Sequence, residues 1–217
     1  MSVFKLCKLK KVFLHGIVFI CVGSVLWAQG GSLKFEDNTK QKLWFEDQIK
    51  GFFKKETLER HGRNFFITGK LNSKLIVALL KDNDAEVSQT VLGILNNYAE
   101  LRAHTDPSDW IAIRDAVIDL LNHKDKELRQ SAILTAKVFW QDDNDNKFAR
   151  ALVSSLDDKD DLTVICAIEG LGFFQKYVHS SKQVLDKLKL LAINRFRPDV
   201  QSEAVKLLLE FVEPSEG

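Results

Sequence analysis

The sequence predicts an all-α chain, a short α-solenoid (superhelix) of about four helix pairs behind an N-terminal capping segment, and three observations carry that prediction. Only 3 prolines occur in 217 residues, with 45% hydrophobic and 28% charged residues, a balance suited to a folded helical chain and unsuited to disorder. A unit made of an apolar helix end, an acidic turn and a new helix recurs four times. Within those units, apolar residues fall at the three-and-four spacing of amphipathic helices.

The recurring unit is read as follows. Leu80 is followed by Lys-Asp-Asn-Asp-Ala-Glu and Val87, Leu121 by Asn-His-Lys-Asp-Lys-Glu and Leu128, and Leu156 by Asp-Asp-Lys-Asp-Asp-Leu and Thr163. The fourth copy starts at Leu191, takes two extra residues through Arg197 and Pro198, and resumes at Asp199 and Val200. The anchors at 87, 128, 163 and 200 are therefore 41, 35 and 37 residues apart. Four residues after each anchor stand Val91, Ala132, Ala167 and Ala204, one helical turn on and on the same face. Small residues there let two helices approach closely.

Between anchors lies chain enough for two helices and two tight connections: Trp110 to Leu121 then Glu127 to Trp140, and Asn146 to Leu156 then Leu162 to Tyr177. In the first of these, Ile113, Val117, Leu120 and Leu121 form the apolar stripe, and Asp106-Pro107-Ser108-Asp109 supplies capping chemistry ahead of it. Strands have little room. At the C-terminus Glu203, Lys206 and Glu210 alternate with Val205, Leu208, Leu209 and Val212, and Pro214-Ser215-Glu216-Gly217 stops the helix, so that end reads as closed.

The pattern Leu80, Asp82, Asp84, Val87, with small residues at the fourth following position, resembles the signature of HEAT repeats over roughly 71 to 212. The resemblance implies a stack of antiparallel helix pairs, each covering its neighbour's apolar face. HEAT units often carry arginine after the anchor; here only Arg129, after Leu128, fits. HEAT-like repeats also occur in families resembling phycobilin lyases, so the resemblance does not exclude catalysis.

The first 30 residues read as a secretory signal peptide. Lys5, Lys8, Lys10 and Lys11 precede an apolar run from Val12 to Trp27, and small residues at Ala28 and Gly30 suit cleavage. The uninterrupted stretch from Gly16 to Trp27 is short against the roughly 20 residues a bilayer core requires. Cys21 follows Val18, Phe19 and Ile20, which is not a lipobox. Removing the leader takes away Cys7 and Cys21 and leaves Cys166, a single thiol set in an apolar run and expected to be a buried hydrophobe. It also leaves 27 basic against 30 acidic residues, a balance opposed to general nucleic-acid binding.

Residues 31–70 form a linker and capping segment ahead of the repeat region, 71–217. Phe45, Ile49, Phe52 and Phe53 make an apolar helical stripe. It reads either as a cap packed on the first repeat or as an aromatic docking face. His61-Gly62-Arg63-Asn64 is a break, and Phe65-Phe66-Ile67 leads to a turn at Gly69.

Motifs for chemistry are missing from the sequence. It contains no H-E-x-x-H, paired C-x-x-C, G-x-S-x-G or phosphate loop and, beyond Ser2-Val3-Phe4-Lys5 in the leader, no S-x-x-K, and His15, His61, His104, His123 and His179 are scattered. The acidic runs at 142–146 and 157–161 read as helix caps and turns. A calcium loop starting at Asp142 would put Lys147 where Gly is needed and Val153 where a bidentate Glu belongs. No unit shows a cluster of polar residues inside an apolar stripe. The expectation is thus a non-enzymatic scaffold of the bacterial periplasm, without cofactor or metal, that binds a protein partner and neither nucleic acid nor, after cleavage, a membrane. Its alternatives are an accessory lyase or ligand-binding protein, and a membrane-tethered scaffold with an uncut leader. Trp44, Phe52, Gln89, Arg129, Gln130 and Gln201 are the expected partner-binding side chains, the last four as exposed positions on second helices.

Overall fold

The computed structural model describes residues 51–62, 64–67, 70–97, 99–194 and 196–212. The chain divides into two compact units, 1–45 and 46–217, and every described residue belongs to the second. The leader, Trp44, Phe45 and Ile49 lie outside the described residues.

The described residues are predominantly helical. A short helix α1 (Lys55–His61) is followed by a two-residue antiparallel ladder, β1 (Phe66–Ile67) on β2 (Lys70–Leu71), with Phe66 opposite Leu71. This ladder corrects the sequence reading, which placed only a turn there. Phe65, immediately before it, is fully buried and stacks on buried Phe53 with ring centroids 5.6 Å apart.

Four helix pairs follow. They are α2 (Ser73–Leu80) with α3 (Ala85–Asn97), and α4 (Pro107–Leu120) with α5 (Lys126–Leu134) and its continuation α6 (Ala136–Phe139). After them come α7 (Lys147–Ser155) with α8 (Asp161–Leu171) and, beyond the short α9 (Gln175–Ser180), α10 (Lys182–Ala192) with α11 (Pro198–Val212). Partners pack within each pair. Between pairs, α2 packs on α4 and α4 on α7, while α3 packs on α5, α5 on α8 and α8 on α11.

The acidic turns set where second helices begin, because their carboxylates accept the N–H groups that a helix start leaves unpaired. Asp84 accepts from Glu86 N–H at 3.0 Å, Asp125 from Glu127 and Leu128 at 2.9 and 3.1 Å, and Asp160 from Thr163 at 3.0 Å. A second bond recurs two residues earlier. Asp82, His123, Asp158 and Asn194 each accept the backbone N–H two residues on, at 2.8, 3.1, 2.9 and 3.1 Å, which tightens all four turns. Val87, Leu128, Thr163 and Val200 are buried, as are Val91, Ala132, Ala167 and Ala204 one turn on.

First helices start by other means. Asn72 caps α2 through Leu75 N–H. Asp106 precedes Pro107 at the start of α4 but makes no side-chain cap; its carboxylate instead accepts Lys70 Nζ at 2.7 and 2.9 Å, tying the hairpin to this helix. Before α7, Asn146 takes the left-handed conformation (φ 53°), which asparagine tolerates, and the buried carboxylate of Asp143 accepts from Phe148 and Ala149, each at 3.0 Å.

Two of the four second helices are interrupted. The segment expected as one helix from Glu127 to Trp140 breaks at Thr135, whose hydroxyl donates back to Ser131 O at 2.8 Å and accepts from Asn96 of the preceding pair at 3.0 Å. Such back-bonding competes with the helix ladder and bends it. The segment from Leu162 to Tyr177 likewise tightens into a 3₁₀ turn at Gly172–Phe174. These breaks feed an aromatic column: Trp110 on Phe139 at 4.8 Å, Phe139 on Phe148 at 5.8 Å, and Phe148 on Phe174 at 6.2 Å.

Candidate interaction surface

Two of the side chains expected to be exposed are interior bridges between pairs. Arg129 is 8% exposed; it grips both oxygens of Asp158 at 2.8 and 3.1 Å and donates to the carbonyls of His123 and Lys124. Gln130, also 8% exposed, donates to Asp160 Oδ2 at 2.8 Å, the same oxygen that caps α8. Packing of α5 on α8 covers this side of the helix, so neither residue is exposed as expected. Gln201 is half-buried and donates to Ala192 O at 2.9 Å across the last pair. Gln89 is half-buried on α3, and Phe52 is half-buried in the turn before α1. Trp44 lies outside the described residues.

A second bridge corrects the expectation that no polar cluster interrupts an apolar stripe. Arg114 lies one turn after Trp110 on α4 and is buried. Its guanidinium bonds Asp115, Asp143 and Asp145 at 2.8–3.2 Å. Arg114 pulls the Asp145 carboxyl down to about 2. Burial pushes Asp143 upward, against the pull of its two backbone donors and of Arg114. The 142–146 run therefore caps α7 and joins α4 to the next pair. Among the described residues no three His, Cys, Asp or Glu side chains converge to hold a metal ion.

What second helices turn outward lies elsewhere. Six residues after each anchor stand Gly93, Leu134, Glu169 and Lys206, one on each of α3, α5, α8 and α11, helices that pack in sequence. A Cβ on Gly93 would meet nothing within 4 Å. Leu134 is 48% exposed, and Phe173, just past α8, is 47% exposed. Partial burial raises the Glu169 carboxyl, nearby Glu203 raises it further, and Lys206 lowers it. This row crosses all four pairs and carries apolar and charged side chains together. It was legible as the sixth position after each anchor, a register the sequence reading did not follow.

The helix stop expected at Pro214-Ser215-Glu216-Gly217 lies outside the described residues. Leu190, Ile193, Phe196, Val205 and Leu209 are all exposed large apolar residues of the last pair and its turn. Asp186, Lys189, Leu190 and Ile193 line a shallow depression there. Among the described residues, no helix is long and apolar enough to cross a membrane.

No protein-family model and no curated protein matches the chain. A solved structure described as an engineered protein, a target of the Northeast Structural Genomics Consortium, is similar to it at 21% identity with a TM-score of 0.48. The similarity covers 64% of this chain and 62% of that one, so this chain spans less than two thirds of the neighbour's length.

Proposed function

We propose that the chain is an exported scaffold, a short α-solenoid of HEAT-like helix pairs, that binds a protein partner in the bacterial periplasm along the outward row of its second helices. The observation that carries this reading is the row of exposed Leu134, Glu169 and Lys206, with half-buried Gly93 at its start and exposed Phe173 beside it. A rigid face mixing large apolar anchors with charges suits protein recognition. The order of contacts, in which each second helix meets the next, supports the solenoid reading. So does the Arg129–Asp158 bridge, since it gives the one HEAT-like arginine a role in joining pairs. Export rests on the leader sequence alone.

The test is site-specific photo-crosslinking in the protein's own cells from positions 134 and 173, with position 112 on the exposed side of α4 as control. The expected result is one reproducible protein adduct from 134 and 173 and none from 112. Intact-mass analysis of the bait should place its start near Gln29 or Gly31. No adduct from either position, or the same adduct from all three, would sink the proposed face; retention of residues 1–30 in membranes would favour a tethered scaffold.

A further inference from the structure

We draw no further inference here: the strongest candidate, the exposed apolar face of Leu190, Ile193, Val205 and Leu209 on the last described helix pair, carries nothing because nothing in the structure shows what covers it.

Discussion

Replacing Arg114 with methionine preserves much of the side chain's volume and removes its charge, and the consequence follows from what Arg114 holds. The side chain is 4% exposed and Asp143, one of its partners, is 0% exposed, whereas Asp145 is 55% and Asp115 37% exposed. The two exposed carboxylates regain water when the guanidinium goes and contribute little to the loss. Asp143 stays buried as an anion with only the Phe148 and Ala149 amides to satisfy it. Orphaning one member of a buried pair costs about 3–5 kcal/mol. Against a total stability of about 5–15 kcal/mol for a domain, that is a large fraction. Urea unfolding followed by circular dichroism measures it, and Trp110, one turn away on α4, gives a second probe. The pH dependence supplies a further check. Asp145 has its folded value lowered from 3.8 to about 2, so its contribution is present above pH 3.8 and fades as pH falls through about 2. The variant should lack that acid-dependent part. A loss below about 1 kcal/mol for Arg114→Met, the range of exposed pairs, would refute the view that this bridge is a buried support between pairs.

Two other outcomes follow from the outward row. Gly93 lies inside α3, and a Cβ there meets open space, so Gly93→Ala should stabilise by about 0.5–1 kcal/mol in the same urea experiment; destabilisation would mean the position is not open. Glu169 has its folded pKa raised by burial and by Glu203, so charging it costs stability as pH rises through that value, and the neutral form is favoured below its ordinary value of 4.5. Glu169→Gln should therefore be the more stable protein at neutral pH, with the advantage vanishing below about pH 4. An advantage that persists at pH 3 would assign the effect to something other than the charge.

The helices were legible because their determinants are local. Acidic caps at Asp84, Asp125 and Asp160 and buried residues at Val87, Leu128, Thr163 and Val200 are written in short runs of sequence. The break at Thr135 was not, because it depends on Asn96, 39 residues earlier, as well as on a hydroxyl that any helix can carry outward. The exposure of Arg129 and Gln130 was misread for a related reason. Their polarity suggests solvent, while their surroundings are set by Asp158 and Asp160 of the next pair. Arg114 carried a signal that periodicity alone supplies, since it is four residues from Trp110 and three from Val117, within the apolar stripe. The short hairpin at Phe66–Ile67 and Lys70–Leu71 had none, being too brief to show alternation.

Among the described residues, the bridges between pairs reach to an immediate neighbour: Arg102 to Asp142 spans 40 residues, Arg114 to Asp145 31, and Arg129 to Asp158 29. A change inside one pair is therefore felt by the pairs on either side and is damped beyond them. Gain or loss of a whole pair disturbs one junction and leaves the remaining junctions chemically intact, so length in such an architecture can vary in steps of one pair while each junction keeps its own ion pair. The same economy makes folding a matter of short loops, with each pair able to form before the next is complete.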